Sequence, residues 1–299
     1  MPRKVHVVIN PAAGEAQPIL HILNKVFQAA GAECDISVTK ASGDAERFAR
    51  QAVESGFDVV AAYGGDGTVM EVARGLFGTS VPFAILPGGT ANMMSIELGI
   101  PGKLEEAAEI AADANSPTRW VDAGMVNEKT FLLRVGVGFE ARTVANADRQ
   151  MKDRWSWLAY IISGAKALKD SPKVEYHLTF DNQEFELETT TCQVCNAGIM
   201  GTPGVTPVKN INISDGLLDL IVLRESALIA LISQVSSFVE NAAEDDLFHH
   251  WQAKSITIDA TPSQPVHVDG EAGWKTPLEI KVMPRAVRVL IAKSAGETQ

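Results

Sequence analysis

Residues 59–73 of the chain read VVAAYGGDGTVMEVA. An apolar run stops at three glycines that surround one aspartate, and it then resumes with the spacing of an amphipathic helix. This pattern predicts a strand, a tight turn and the start of a helix. Glycine tolerates positive φ and lets a backbone approach a ligand closely, and the first N–H groups of a helix have no partner within that helix. The stretch therefore predicts an anion site that suits phosphate.

Asp66 is the unusual residue of this turn, because phosphate repels a carboxylate unless a cation lies between them. Mg²⁺ suits that position, since it prefers hard oxygen ligands and substrate phosphates. The alternative is an ordinary turn in which Asp66 caps the helix. A second loop of the same kind favours the phosphate site: residues 86–92 read LPGGTAN and again follow an apolar segment, 81–85. Two such loops at neighbouring ends of parallel strands lie beside one crevice.

The order of the patterns along the chain predicts two domains. Residues 4–114 alternate strand-like and helical patterns, which is typical of an α/β domain with a parallel, doubly wound sheet. Strand-like runs then dominate and predict a mainly antiparallel second domain. We therefore predict a first domain over 1–119 and a second over 120–285. Two helical stretches, 155–168 and 227–239, interrupt the second domain, and their apolar faces either pack in the core or line an acyl-chain cleft or contact a membrane.

The strand-like runs of the second half are bounded by turn residues and charged segments. They lie at residues 131–137, 174–180, 185–195, 217–223, 255–260, 266–269, 278–282 and 286–292.

The composition restricts the partners. With 26 basic and 37 acidic residues the net charge is −11, so we expect no nucleic-acid partner, and any contact with a membrane has to be mainly apolar. The first apolar run, 5–9, is too short for a signal peptide, and no stretch reaches the roughly 18 apolar residues of a membrane span. Three cysteines do not suggest a disulfide framework, and Cys192 and Cys195 are expected to be packed thiols. We expect a cytoplasmic protein.

The two glycine loops carry a family resemblance. The stretches GGDGT at 64–68 and PGGTAN at 87–92 resemble the diacylglycerol kinase catalytic family, which includes bacterial soluble lipid kinases and the sphingosine kinases. The resemblance implies an NAD kinase/diacylglycerol kinase-like fold, with a β-sandwich as the second domain and with residues 286–299 returning to the first. It also implies ATP as the phosphate donor. The implied nucleotide-binding residues are Asn10, Pro11, Ala12, Ala13, Gly14, Thr39, Gly64, Gly65, Asp66, Gly67, Thr68, Glu71, Gly89, Thr90 and Asn92.

Residues 267–271, HVDGE, resemble the Asp-Gly-Glu segment of the same family. The resemblance implies that Glu271 is the general base, because a lipid hydroxyl is a poor nucleophile until a positioned carboxylate accepts its proton. Asp66 is the second implied catalytic residue, as the anchor of the Mg²⁺ at the phosphates. The alternative is a solvated Asp-Gly hairpin that happens to precede a glutamate.

A metal loop is also implied by resemblance. Residues 214–219, SDGLLD, are similar to the family's structural Mg²⁺ loop, in which the matching ligands are the Asp215 side chain and the carbonyl groups of Asn212 and Leu217. Asp122 matches an acid that helps to hold catalytic metal and water. The segment can equally be a turn that enters a strand.

One position departs from the family pattern. Many bacterial diacylglycerol kinases have an aspartate after the asparagine of the second loop, where this chain has Met93. Sphingosine kinases also lack that aspartate and retain the glycine loops. The adjacent His249 and His250 are expected to be surface residues without partners.

The predicted function is an ATP-dependent lipid kinase that uses Mg²⁺ and a lipid with a free hydroxyl. The alternatives are an NAD kinase, whose family shares the Gly-Gly-Asp-Gly-Thr turn, and a catalytically inactive nucleotide- or lipid-binding protein. The identity of the lipid, peripheral contact with a membrane and a homodimer formed through exposed strand edges all stay open.

Overall fold

The computed structural model describes residues 2–14, 16–138, 141, 173–181, 183–199, 208, 210–224 and 248–293. The predicted helices at 155–168 and 227–239 lie outside the described residues. The chain divides into two compact units, the first formed by Met1–Val121 with Arg285–Gln299 and the second by Asp122–Pro284.

The first unit alternates strands and helices as the periodicity predicts. Its elements are β1 (Lys4–Ile9), α1 (Ile19–Ala30), β2 (Glu33–Val38), α2 (Asp44–Glu54), β3 (Val59–Gly64), α3 (Asp66–Leu76), β4 (Phe83–Pro87), α4 (Met93–Glu97) and α5 (Leu104–Ala112).

The sheet of the first unit is parallel, with strand order β2-β1-β3-β4. Strands β3 and β4 are buried along their whole length, as expected for central strands covered on both faces. The helices pack in pairs, α1 against α5 and α2 against α3. Within these pairs the apolar stripe of each helix faces the sheet, for example Leu23 and Phe27 of α1, which are almost fully buried. The predicted parallel, doubly wound α/β domain is confirmed.

The second unit is built from antiparallel strands. The remaining elements, some of which begin or end in the first unit, are β5 (Thr118–Val126), β6 (Lys129–Phe131), β7 (Arg134–Gly138), β8 (Val174–Phe180), β9 (Gln183–Thr189), β10 (Thr191–Cys195), β11 (Leu218–Leu223), β12 (Phe248–Ala253), β13 (Ser255–Thr261), β14 (Pro265–Val268), β15 (Glu271–Lys275) and β16 (Leu278–Leu290).

Two layers of strands enclose the core of the second unit. One layer has the order β12-β11-β10-β7-β14-β15, and the other contains β13, β8 and β9 with the beginning of β16. Apolar residues from both layers form one cluster, which includes Val135 and Leu220 from the first layer and Tyr176 and Ile258 from the second. This arrangement confirms the predicted β-sandwich.

Several predicted strands have different boundaries in the structure. The run 131–137 is divided between β6 and β7, because the backbone N–H groups of residues 132–134 bind a side chain instead of a neighbouring strand. The run 185–195 is two strands, β9 and β10, which pair with different partners. Conversely, 278–282 and 286–290 lie on one strand, β16, which continues through Pro284 and ends at Leu290, two residues before the end of the predicted run. Strands β12 and β15 carry mainly polar residues and were not predicted from the sequence.

Candidate active site

Three loops meet at the carboxyl edge of the first unit's sheet. The parallel register pairs Gly64 at the end of β3 with Pro87 at the end of β4. The loops are tied directly to each other, since the Asn10 N–H donates to the Tyr63 carbonyl at 2.9 Å and the Gly88 N–H donates to the Gly64 carbonyl at 3.0 Å. The turns after β1, β3 and β4 therefore form one surface, as the two glycine loops predicted.

The glycines of these loops pack backbone against backbone. A Cβ atom on Gly89 would lie 2.5 Å from the Cα atom of Gly65, which leaves no room for a side chain. Gly14 has a φ of 66°, and a Cβ atom there would collide with the Gly88 carbonyl oxygen. Glycine is required at these positions by close approach and, at Gly14, by positive φ.

Asn10 holds the first of these loops in place. Its Nδ2 donates to Thr68 Oγ1 at 3.1 Å, and its Oδ1 accepts from the Ala12 N–H at 3.0 Å. The side chain thus joins the turn after β1 to the first turn of α3. Pro11, Ala12 and Ala13 follow it in this turn.

An open pocket of about 550 Å³ lies beside the loops. Its lining residues are Asn10, Pro11, Ala12, Thr39, Lys40, Ala41, Ser42, Ala45, Gly67, Thr68 and Glu71. Most of the residues that were predicted to bind nucleotide at the ends of β1, β2 and β3 therefore line this one pocket. Lys40, Ala41 and Ser42 were missed by sequence reasoning, although their position after β2, at the same edge as the other loops, was a usable signal.

Glu71 has two partners on one wall of this pocket. Its Oε1 accepts from Ser42 Oγ at 3.1 Å and its Oε2 accepts from the Ala45 N–H at 3.2 Å, at the beginning of α2. The carboxylate thus satisfies one of the N–H groups that a helix leaves without an internal partner. Glu71 therefore fixes the wall that helix α2 contributes to the pocket.

Asp44 stabilises the same loop from the other side. Its Oδ2 accepts from the N–H groups of Lys40 and Ala41 at 2.8 and 3.0 Å, and its Oδ1 pairs with Arg47 at 2.6 Å. The hydrogen bond from Arg47 and the two backbone donors lower the pKa of Asp44 to about 2. The loop at residues 40–44 is consequently closed by an ionised carboxylate.

Asp66 is the first residue of α3, and Gly65 occupies the N-cap position without a side-chain cap. The alternative reading, in which Asp66 caps its own helix, is wrong. Asp66 Oδ1 instead accepts from the Met94 N–H at 3.1 Å, at the start of α4. The carboxylate therefore connects the two glycine loops.

Asn92 shapes the second loop. It has a φ of 48°, and its side chain binds both backbone groups of Gly89, accepting from the N–H at 2.9 Å and donating to the carbonyl at 2.7 Å. The Asn92 side chain thus closes a turn that contains Thr90, which is exposed. Met93, the departure from the family pattern, begins α4.

In the second unit, Asp269 and Gly270 form the turn of the β14–β15 hairpin, with φ values of 46° and 81°. The Asp269 carboxylate is not solvated as the hairpin alternative implied. It accepts from the backbone N–H groups of Leu132, Leu133 and Arg134 at 2.8, 3.0 and 2.9 Å. Burial raises the pKa of Asp269, and the three donors act against that shift.

Glu271 follows this turn as the first residue of β15. Its side chain is 62% exposed, and its Oε2 lies 2.9 Å from the ammonium group of Lys129 on β6. The same ammonium lies over the Trp274 ring, 5.6 Å from the ring centroid. The predicted base is therefore accessible to solvent and already has a cationic neighbour, which sequence reasoning missed.

The predicted metal loop is ordered by short-range hydrogen bonds. Asp215 Oδ1 accepts from the Leu217 N–H at 2.9 Å, and Asn212 Oδ1 accepts from the Ser214 N–H at 3.1 Å. Asp122 is almost fully buried beside this loop, and its Oδ2 accepts from the Gly216 N–H at 2.6 Å. The structure thus brings Asp122 to the loop at residues 212–217.

The chemistry of this loop suits a hard cation. Burial raises the pKa of Asp215, and the neighbouring carboxylates Asp219 and Asp122 raise it further. A divalent cation would relieve that repulsion, and oxygen ligands are those that Mg²⁺ prefers. Across the part of the chain that is described, no group of three or more His, Cys, Asp or Glu side chains is placed to hold a metal ion. A site here would therefore depend on the Asp215 carboxylate together with backbone carbonyl groups.

The expectation for the paired histidines is wrong for His250. Its Nε2 lies 2.7 Å from Oδ1 of the buried Asp219, because β12 pairs with β11 and brings the two side chains to one face. His249 stacks on Trp251 at a centroid distance of 5.3 Å. Burial and the nearby Arg224 lower the pKa of His249. Both histidines are part of a strand that the sequence did not reveal.

Cys192 and Cys195 are free and fully buried, as predicted. Within the described ranges no helix is long and apolar enough to cross a membrane.

Comparison with known proteins supports the family reading of these two units. The profile of the diacylglycerol kinase catalytic domain matches residues 4–126, and the profile of the YegS C-terminal NAD kinase beta sandwich-like domain matches residues 133–291. The chain belongs to the diacylglycerol kinase catalytic family. Membership accounts for both glycine loops and for the second, β-rich unit, and it makes this protein a member of a lipid kinase family.

Individual relatives match nearly the whole of this chain. A diacylglycerol kinase of Bacillus subtilis strain 168 is 27% identical over 304 residues, which are 99% of this chain and 98% of that protein. An uncharacterized protein of Synechocystis is 29% identical over 301 residues, 95% of this chain and 69% of its own length. A crystal structure from Bacillus anthracis strain Sterne, described as a diacylglycerol kinase, covers 98% of both chains at 25% identity and a TM-score of 0.73. A second structure from that strain, provisionally described in the same way, reaches 28% identity and a TM-score of 0.83 over the same share of both chains.

Proposed function

We propose that this protein is an ATP-dependent lipid kinase, which transfers the γ-phosphate of ATP to a hydroxyl group of a lipid. The observation that supports the proposal is that the glycine loops after β1, β3 and β4 pack against each other, and that the loops after β1 and β3 line one open pocket of about 550 Å³. Exposed backbone at the start of a helix suits phosphate groups, and the pocket next to it has room for the rest of a nucleotide.

The nucleotide would bind to the first unit. Residues 10–14, 64–68 and 89–92 would surround the phosphates, while Thr39 and Glu71 line the adjacent pocket. Asp66 is the residue that would hold Mg²⁺ at the phosphates, and Asp215 with the carbonyl groups of Asn212 and Leu217, next to Asp122, would hold a second, structural ion. When bound, Mg²⁺ supplies positive charge that neutralises the phosphate oxygens.

Glu271 is the proposed general base. A carboxylate that is 62% exposed at the tip of a hairpin is within reach of a lipid head group. One of its oxygen atoms would accept the proton of the lipid hydroxyl while the hydroxyl oxygen forms its bond to the γ-phosphorus and the bond to the ADP leaving group breaks. Asp269 supports this role, because it fastens the hairpin to residues 132–134.

The acceptor is a lipid with a free hydroxyl, which the enzyme would meet at the surface of a membrane as a peripheral, cytoplasmic protein. The net charge of −11 makes anionic lipid a poor electrostatic partner, so that contact would be mainly apolar. A homodimer remains a further proposal.

The test is transfer of labelled γ-phosphate from Mg-ATP to detergent-dispersed lipids, with NAD as an additional acceptor. We expect label in a lipid and almost none with the Glu271→Gln variant, whereas the matched control Glu184→Gln, at an exposed position on β9, should keep the wild-type rate. Label in NAD would identify an NAD kinase instead. ATP binding without label in any acceptor would identify a non-catalytic binding protein.

A further inference from the structure

Lys129 and Glu271 are 142 positions apart in the sequence and form an ion pair in the second unit, with Nζ and Oε2 separated by 2.9 Å. The lysine side chain is 25% exposed and the glutamate 62%. The proposed base is therefore not an isolated negative charge. Any head group that brings its hydroxyl to Glu271 also meets the ammonium group of Lys129.

The position of Lys129 is restrained by its surroundings. It lies opposite Val126 in the β5–β6 pair, and its ammonium group lies over the ring of Trp274, which is on the same strand as Glu271. The Asp269 carboxylate binds the backbone just beyond β6 and so holds that segment against the hairpin. An aromatic ring and a carboxylate both attract a cation, so the ammonium group of Lys129 is stabilised where it lies. The Lys129–Glu271 pair therefore needs little reorganisation before substrate binds.

We infer that Lys129 selects the acceptor lipid: it admits glycerolipids whose head group carries no positive charge and disfavours amino-alcohol lipids such as sphingoid bases. This inference rests on the proposed function, since it concerns the acceptor of Glu271. It names the substrate class that the two glycine loops leave open.

The reason is electrostatic. In a sphingoid base the protonated amine is on the carbon next to the one that bears the reacting hydroxyl, so the amine has to enter the space around Glu271 together with that hydroxyl. A lone carboxylate would attract the amine, but here Lys129 already compensates the carboxylate and repels a second cation. Two unit charges about 4 Å apart in a well-solvated site change an equilibrium by about fivefold. A diacylglycerol carries no charge near its hydroxyl and avoids this repulsion.

The experiment compares diacylglycerol and sphingosine at equal surface fraction in neutral detergent micelles, with labelled Mg-ATP and the full chain. The variant is Lys129→Met, which removes the charge and keeps an unbranched side chain for contact with Trp274. Lys275→Met is the matched control, because Lys275 is exposed on the same strand as Glu271 and gives the same change in net charge. Lys129→Arg retains the positive charge.

We expect the wild type to prefer diacylglycerol and Lys129→Met to raise the sphingosine to diacylglycerol ratio of kcat/KM by about fivefold, mainly through a lower KM for sphingosine. Lys275→Met and Lys129→Arg should keep the wild-type ratio. If Lys129→Met labels the lipids with an unchanged sphingosine to diacylglycerol ratio, or loses activity equally toward both lipids, the inference is overturned and the proposed function is not. With the wild type, absence of label in these two lipids would overturn the inference, and absence of label in every lipid tested would overturn the proposed function as well.

Discussion

The carboxylate of Asp66 accepts a hydrogen bond from the Met94 N–H at 3.1 Å, so the acid of the first glycine loop also caps the short helix that follows the second. Asp66 thus has two separable properties: a hydrogen-bond acceptor that joins two loops and a negative charge at the proposed phosphate site. A substitution that retains only the first property distinguishes them.

We expect Asp66→Asn to lose turnover as severely as Asp66→Ala, by about 100-fold or more, because neither variant carries a charge for Mg²⁺. The amide oxygen of Asp66→Asn can still accept from the Met94 N–H. Thermal unfolding should show Asp66→Asn closer to the wild type than Asp66→Ala. The rates of label transfer of the two variants, measured side by side, are the check. An asparagine variant with the activity of the wild type would reduce Asp66 to a structural link.

Glycine substitutions separate folding from nucleotide binding. Gly67 lines the pocket within α3, and a Cβ atom there meets nothing within 4 Å, so Gly67→Ala should fold at least as stably as the wild type. The added methyl group would nevertheless stand where the phosphates approach, and we expect ATP binding to weaken about tenfold, or by about 1.4 kcal/mol. Calorimetric titration and thermal unfolding measure the two effects.

Gly89→Ala is the contrasting variant, because its Cβ atom would lie 2.5 Å from the Gly65 Cα atom. We expect a loss of stability of about 1–3 kcal/mol from this overlap.

For the Gly67→Ala variant, an unchanged ATP affinity would mean that the phosphates do not come close to α3.

Asp269 should contribute more stability than an ordinary turn aspartate. Asp269→Ala leaves three backbone N–H groups without their acceptor, and we expect the free energy of unfolding in urea to fall by about 3 kcal/mol. Asp181 provides the matched control, since it has the same φ of 46° but lies in an exposed turn and accepts only at 3.3 to 3.4 Å. Asp181→Ala should cost about 1 kcal/mol or less. Equal losses in the two variants would contradict the role given to Asp269.

The loop beside the nucleotide pocket should respond to acid through Asp44. The pKa of this group is lowered to about 2 in the folded protein, against an ordinary value of about 3.9 in an unfolded chain. A lowered pKa means that the carboxylate stabilises the fold above about pH 4, and that this contribution is lost as the pH falls toward 2. The difference in melting temperature between the wild type and Asp44→Asn should therefore shrink from pH 5 to pH 2. A difference that stays constant over this range would contradict the assignment.

The first unit was the more predictable part of the fold. Its helices are short segments with one buried face, and local periodicity is sufficient to find them, as in α2, whose buried residues are Ala45, Ala49 and Ala52. The second unit was harder, because polar strands such as β12 and β15 do not show an apolar pattern. The division between β6 and β7 was also hidden, since the side chain that causes it belongs to Asp269, more than a hundred positions away.

The sequence by itself determined the chemistry of the candidate site. Gly65, Asp66 and Gly89 stand at strand ends, where glycine and one acid indicate phosphate and a cation regardless of the rest of the fold. Tertiary structure alone decided which of these groups have partners, such as Asp66 with Met94 and Lys129 with Glu271. The physical reason is that backbone preferences act between neighbours in the chain, whereas ion pairs and side-chain caps depend on distances that only the folded sheet sets.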